Sequence, residues 1–437
     1  MKPSRDIYLG IDLGTSTIKV VVARFTPDNT LEFLGKGEVP SLSMLKGEPE
    51  QPGIVTEQLI QAITAALKSA AMRDFPARIA LALSGGCFQT STVSTTIDIP
   101  GGLPVTENDC VTVMRQVYDQ LNPTTDETAQ KSVVPPGKFP LSTVVTRNFQ
   151  LADGRVVFSP MEQITSSLTY NALFFAIDRE QYQRLLSTVG DALMGQRIDF
   201  TVPVPLTISC AVCKPSSIAD NLPLPLLIDL GAGVTSLSMP TPTGWLLAEQ
   251  IAIGTDHLAN DLSLVFELND IKTARTLVRE LGTYRCTAIP VQDGDARMLT
   301  IRSPQGTELE IAANDLENVV AARLRELFSI IVARLEENQA YDWLDQEVLL
   351  TGDGALIPRV TELAATILKR KVRLATPYQV NATRFFDTLP PRYTTICGLL
   401  RAARQEQLLQ EARDQQGSLL DRAGNWLRKG WQALFEW

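Results

Sequence analysis

Apolar and polar positions fall into short blocks from the start of the chain. Residues 7–11, IYLGI, and 18–25, IKVVVARF, are β-rich runs joined by small residues, the pattern of a hairpin. LEFLGKGEV follows as a third run. Residues 56–73, TEQLIQAITAALKSAAMR, place apolar positions at helical spacing behind a capping Thr. ARIALALSGG then reads as a buried strand. From about 85 to 178 the texture changes. QTSTVSTTIDI alternates as a strand, and TENDCVTVMRQVYDQL predicts a helix capped at Thr106, with Glu107 and Asp109 in its first turn. A polar, Pro-rich loop covers 122–140, and STVVTRNFQLADGRVVF predicts a hairpin around Asp153-Gly154. This stretch has the character of an inserted β-rich subdomain.

The pattern of the first hairpin then returns. PLLIDLGAGVTSLSMP repeats the order of IYLGIDLGTSTIKVVV: apolar strand, Asp, Leu, Gly, small residues, strand. Two copies predict an internally duplicated fold, two similar α/β halves facing each other. Helices are predicted at 256–268, 271–282 and 314–338. The strand in QEVLLTGDGALIPRV leads to a helix starting near Pro358. At 437 residues the chain is too long for one core, so two or more domains are expected.

Composition narrows the function. A net charge of −9 argues against non-specific nucleic-acid binding. No run of eighteen apolar residues and no signal-peptide core is present, which points to the cytoplasm. Six cysteines are too sparse for a disulfide framework. Cys210 and Cys213 form a CxxC without a second pair nearby, and read as small buried residues on a helix rather than a zinc or redox site. His257 is the only histidine, which excludes multi-histidine metal sites and disfavours Ser-His-Asp or Cys-His catalysis.

Three Gly-containing turns follow apolar strands. They are Asp12-Leu13-Gly14-Thr15-Ser16-Thr17 with Lys19 on the next strand, Asp229-Leu230-Gly231-Ala232-Gly233, and Gly352-Asp353-Gly354. Gly lets backbone N–H groups approach an anion, and Thr or Ser hydroxyls add donors. Two facing hairpins can hold phosphates from both sides, and Asp12 with Asp229 can position Mg²⁺ through its waters. The third turn, at a strand end before a helix, suits the adenosine. Neither a GxxxxGK[ST] loop nor a GxGxxG after a strand occurs, so the site is of another kind.

IDLGTSTIKV, LIDLGAGVTSLS and LLTGDGALIP resemble the two phosphate motifs and the adenosine motif of the actin/Hsp70/sugar-kinase superfamily. Within it the chain resembles the FtsA family of bacterial cell-division proteins over nearly its whole length. RNFQLADGRVVFSPM resembles the strand pair of that family's small inserted subdomain, and IAIGTDHLANDL resembles the segment after the second phosphate hairpin, matching at Gly254 and Asp261. The resemblance implies a duplicated actin-like (ribonuclease-H-like) α/β fold and binding of ATP and Mg²⁺. Gly14, Thr15, Ser16 and Lys19 would contact phosphate from one side and Gly231, Ala232 and Gly233 from the other. Gly352, Asp353 and Gly354 would lie against the nucleoside. It also implies head-to-tail polymerisation, binding of the FtsZ C-terminal tail by the half containing residues 260–315, contacts with other division proteins, and a place at the division site on the inner face of the membrane.

Some positions depart from the superfamily pattern. Val204 precedes Pro205 where a water-ordering Glu is usual, so hydrolysis is expected to be weak or absent. Arg275 and Val278 stand where Glu and Lys usually face the nucleoside, and Val234 and Ser236 where Thr and Asp are usual.

The last segment, SLLDRAGNWLRKGWQALFEW, holds three of the five tryptophans. At helical pitch Leu419, Leu420, Ala423, Trp426, Leu427, Trp431, Leu434 and Phe435 share one stripe, with Trp437 at the end and Arg422, Arg428 and Lys429 opposite. Such a helix usually covers its own core. Three Trp, basic flanks and a terminal position favour a membrane anchor lying in the interface. The expected organisation runs through subdomain 1A (1–84, 179–202 and 386–404), inserted subdomain 1C (85–178), subdomain 2A (203–259 and 316–385) and subdomain 2B (260–315). A polar linker (405–417) and the amphipathic helix (418–437) complete it. Two rivals share the fold: a PilM-type pilus-assembly scaffold, which lacks this terminal helix, and a small-molecule kinase, which needs a cleft acid that the sequence does not obviously supply.

Overall fold

Strand β1 (Ile7–Leu13) is apolar almost throughout because helices cover both faces of its sheet, while β3 (Leu31–Pro40) alternates between buried and half-buried positions. Between them β2 (Thr17–Phe25) completes an antiparallel meander. The computed structural model describes residues 6–121, 134, 138–214, 224–268, 273–275, 277–278, 298–302 and 308–415. After β3 come a short hairpin, β4 (Met44–Leu45) and β5 (Glu48–Pro49), then helix α1 (Pro52–Ser69) and strand β6 (Arg78–Leu83), which runs parallel to β1. Helix α1 starts a turn before the expected Thr56 cap. Pro52 occupies its first turn, where a missing N–H costs nothing, and the Thr56 hydroxyl instead donates to Thr188 O at 3.2 Å.

The chain then leaves this half to form a separate sheet with one helix. It comprises β7 (Phe88–Asp98), α2 (Glu107–Leu121), β8 (Lys138–Leu151), β9 (Val156–Val157) and β10 (Ser167–Asp178), in the order β7-β10-β8-β9. The cap at Thr106 is present: its N–H donates to Asp109 at 2.8 Å, and its hydroxyl accepts from the Asp109 N–H at 3.3 Å. Helix α3 (Arg179–Ala192), strand β11 (Phe200–Pro203) and helix α4 (Val204–Val212) complete the first half.

The second half repeats the first. β12 (Leu224–Leu230), β13 (Thr235–Thr241) and β14 (Gly244–Ile251) form a meander, followed by α5 (Thr255–Val265), the pair β15 (Met298–Arg302) and β16 (Glu308–Ala312), and the long α6 (Ala313–Glu337). β17 (Leu344–Thr351), α7 (Val360–Leu368) and β18 (Lys371–Leu374) follow. The sheet orders β3-β2-β1-β6-β11 and β14-β13-β12-β17-β18 match strand for strand, each an antiparallel meander extended by parallel strands. The duplicated actin-like fold is therefore present. β19 (Val380–Asn381) pairs with β3, and α8 (Thr394–Gln415) returns to the first half, where Gly398 lets it lie against the Thr207 backbone of α4.

α7 begins after Arg359, held at φ 62°, so Pro358 precedes its cap rather than forming its first turn. α8 continues through most of the segment expected to be a linker, ending at Gln415. The amphipathic segment 418–437, with Leu420, Ala423, Trp426, Leu427, Trp431, Leu434, Phe435 and Trp437, lies outside the described residues, as does most of 269–297. Among the described residues no helix is long and apolar enough to cross a membrane.

The inserted sheet is fixed to both halves. Arg147 of β8 donates to Leu246 O at 3.2 Å and to Asn338 O at 2.5 Å, and the Thr90 hydroxyl donates to Ala248 O at 2.7 Å. Phe158 stacks edge-on with Trp343 at 5.4 Å. Gly244 leaves room for the Thr146 backbone, which a Cβ there would block.

Candidate nucleotide cleft between the two hairpins

In each hairpin the Asp that ends the first strand faces a residue of the second. Asp12 pairs in register with Lys19, and Asp229 with Ser236. Their turns close the same way: Gly14 N–H donates to Thr17 O and Gly231 N–H to Val234 O, both at 3.1 Å. Gly231 O and Ala232 O accept from Thr255 and Asp256 N–H at 2.9 and 2.8 Å, so the second turn seats the start of α5. Gly254 is required there, because a Cβ would run into the Ala232 carbonyl. His257 Nδ1 accepts from Gly254 N–H at 3.3 Å, which gives the only histidine a capping role.

The third turn packs directly on the second hairpin. Gly352 adopts φ +84°, and a Cβ on it would lie 2.6 Å from Leu230 O and 2.7 Å from Asp229 Oδ1. A Cβ on Gly354 would meet Leu230 and Thr255 side chains at 2.7 and 2.8 Å. At the opposite tip, Gly233 faces the Thr15 hydroxyl and the Lys46 backbone, which a Cβ there would meet at 3.0 Å. The structure therefore brings the residues around Gly14, Gly231, Gly254 and Gly352 into one contiguous group.

The floor of the cleft is a charge cluster. Lys19 and Asp12 are buried, with Lys19 Nζ 2.8 Å from the Asp12 carboxylate. Burial alone would lower the Lys19 ammonium, but Asp12, with help from Asp353 and Asp229, outweighs it and raises it. Burial pushes half-buried Asp229 up to about 7; the Asp12 carboxylate adds to this, Lys19 opposes it and Asp353 adds again. Arg392 lies 3.7 Å from Asp353 and donates to Glu38 on β3 at 2.9 Å, while the Tyr393 hydroxyl donates to Glu38 at 2.8 Å. Burial would raise Glu38, but Tyr393 and Arg392 hold it below its ordinary value.

Among the described residues, Asp12 is the one hydrogen-bond partner of the Lys19 ammonium, leaving two N–H donors at the first turn. A buried ammonium beside two Gly turns fits the phosphates of a nucleotide. No group of three or more His, Cys, Asp or Glu side chains close enough to hold a metal occurs among the described residues. On the nucleoside side, Arg275 is committed to Asp256 through two bonds of 3.0 and 2.8 Å, and Val278 lies in the core. Val204 is also buried, at the first turn of α4, and offers nothing to orient water. Burial pushes the Cys210 and Cys213 thiols up to about 12; both are partly buried against the core, and Cys213 lies just past the end of α4 rather than on the helix that the CxxC was expected to occupy.

No family model matches the chain. The cell-division protein FtsA of Bacillus subtilis (strain 168) is 25% identical over 403 residues, covering 92% of this chain and 84% of that protein. FtsA of Pseudomonas aeruginosa is 23% identical over 414 residues, covering 92% and 91%. The chain resembles FtsA. The FtsA-like chain also shares its fold with the PilM-PilN type IV pilus biogenesis complex, at a TM-score of 0.63 and 14% identity over 92% of this chain and 99% of that one. That likeness concerns fold alone.

The cross-half contacts around Lys46, Gly85 and Gln250 were invisible in the sequence. They join residues far apart in the chain through backbone atoms, and no local spacing announces such contacts.

Proposed function

We propose that this FtsA-like chain is an actin-type cell-division protein. It binds ATP with Mg²⁺, polymerises head to tail, takes the FtsZ C-terminal tail on the half containing residues 260–315, and rests on the inner face of the cytoplasmic membrane through residues 418–437. The observation that carries this reading is sequence similarity to FtsA proteins across nine-tenths of the chain, extending to 98% of it with the Shigella flexneri protein. Gly14, Thr15, Ser16 and Lys19 would hold phosphate on one side and Gly231, Ala232 and Gly233 on the other, with Gly352, Asp353 and Gly354 against the nucleoside. Bound ATP would bridge the halves through its phosphates. Val204 keeps hydrolysis slow, because an apolar side chain gives an attacking water no base.

The membrane arm decides between this reading and a pilus scaffold that shares only the fold. The double substitution Trp426→Glu with Trp431→Glu removes two large apolar side chains, each worth roughly 1.5–3 kcal/mol when buried. Sedimentation of the full chain with anionic phosphatidylglycerol vesicles should fall by about two orders of magnitude in partitioning. Unchanged sedimentation of the double variant, or none for the unmodified chain, removes the tether.

A further inference from the structure

The two halves meet at several places, among them Trp245 on Ser209 and Thr351 on Thr394, and beside the hairpins the seam is built from short backbone approaches and the Gln250 side chain. On the first half, the turn Lys46-Gly47 lies against Ser84-Gly85-Gly86, and Gly86 N–H donates to Lys46 O at 3.2 Å. Lys46 is at φ 48°, Gly47 at φ 84° and Gly85 at φ 78°, so the three left-handed residues shape the contact. A Cβ on Gly47 would sit 2.7 Å from Gly85 N. The same Lys46 backbone faces Gly233 of the second hairpin, beside the Thr15 hydroxyl.

Gln250, on β14 of the second half, crosses this seam. Its Oε1 accepts from Gly85 N–H at 2.7 Å. Its Nε2 donates to Ser84 Oγ at 3.3 Å and to Ser236 Oγ at 2.8 Å. Ser236 is fully buried opposite Asp229 in the second hairpin. One amide therefore ties the end of β6 in the first half to the phosphate hairpin of the second. Its backbone strand, β14, is the edge on which the inserted sheet is fixed, so the amide reaches out from a rigid support.

We propose that Gln250 is the tie that holds the second hairpin to the end of β6 in the first half, and that its release from Ser84 and Gly85 is the opening step by which a polyphosphate enters between the hairpins. The second clause rests on the nucleotide reading above; the first does not. Thr15 and Gly233 touch in the closed arrangement, so a phosphate reaching both tips must part them. A single side chain with bonds to both halves is the smallest unit that can couple that parting to the second hairpin, because Ser236 and Asp229 lie in the same register pair.

The test uses the full chain and two variants, Gln250→Leu, of similar bulk without the bonds, and Gln250→Asn, one methylene too short to span the seam. Amide hydrogen exchange reads residues 84–87 and 230–236. Losing the three Gln250 bonds, of which the one from Gly85 N–H protects a backbone amide directly, should speed exchange in both segments by about tenfold or more, while the core strands β1 and β12 stay protected. Association of a fluorescent ATP analogue with Mg²⁺ should be faster in both variants. Unchanged exchange at 84–87 in the folded Asn variant overturns the tie, even if the Leu variant fails to fold. Faster exchange without nucleotide binding by any of the three proteins supports the tie and overturns only the nucleotide reading. Faster exchange with unchanged association overturns the opening step.

Discussion

The two hairpins share a backbone and differ in what faces the aspartate. In the first, Asp12 sits opposite Lys19 and the two charges meet at 2.8 Å, both nearly excluded from water. In the second, Asp229 sits opposite Ser236, whose hydroxyl is taken up by Gln250. Burial and then the Asp12 carboxylate push Asp229 toward its neutral form, Lys19 opposes them and Asp353 adds to them. The strands and turns of the two hairpins repeat, and the residues that face the two aspartates do not. The first hairpin carries the cation of the cleft, and the second carries the carboxylate that titrates near neutrality.

The largest effect should come from breaking the first hairpin's pair. Lys19→Met strands the buried Asp12 carboxylate and also removes the cation that opposes protonation of Asp229. Taking one partner from a buried pair typically costs about 3–5 kcal/mol. Ser236→Ala, the matching change in the second hairpin, removes one acceptor for Gln250 and should cost about 1 kcal/mol. Urea unfolding of both variants measures the contrast. Equal losses would mean that the hairpins are electrostatically alike, against the reading above.

This asymmetry was half legible in the sequence. The hairpins announce themselves because apolar runs end in Asp-Leu-Gly and resume after a few small residues. The duplication follows from the repeat of that order. Lys19 could be placed on the second strand because strand spacing is regular. The neutral leaning of Asp229 could not, since it depends on burial and on Asp12 and Asp353 reaching the same floor from distant parts of the chain. The start of α1 was misplaced because Thr56 looks like a cap, whereas Pro52 shapes the turn before it. Nothing in the local sequence singles out Gln250. Only the fold shows that it meets Ser84 and Gly85, 165 residues or more away.

A second prediction turns on pH. The folded-state value of Asp229 stands above its unfolded value, so the folded chain holds that proton more tightly than the unfolded chain. Its contribution to stability is fully present below the unfolded value near 4 and is lost as pH rises through about 7. Asp229→Asn fixes the neutral form. The variant should match the parent at pH 3, below the unfolded value, and be more stable at pH 8, by about 2 kcal/mol once partial exposure is discounted. Thermal unfolding of both proteins across that range checks it. A constant gap at all pH values would mean that Asp229 does not titrate in this window.

The smallest effect on stability should come from the third turn, and it sharpens the comparison most. Asp353 touches Arg392 at 3.7 Å with both side chains about a third exposed, so Asp353→Asn should cost less than about 1 kcal/mol. Arg392 keeps its bond to Glu38, which limits the loss. The same substitution removes a negative charge that raises Asp229 from the neighbouring turn. Asp229 should then release its proton at lower pH, while Asp12, paired with Lys19, holds its bond. The observable is the pH at which the stability gap between Asp229→Asn and its parent stops growing, set by the folded-state value, measured again in the Asp353→Asn background. That pH should move down. If it stays where it was, the third turn is not part of the charge cluster, and Asp229 owes its position to burial and Asp12 alone.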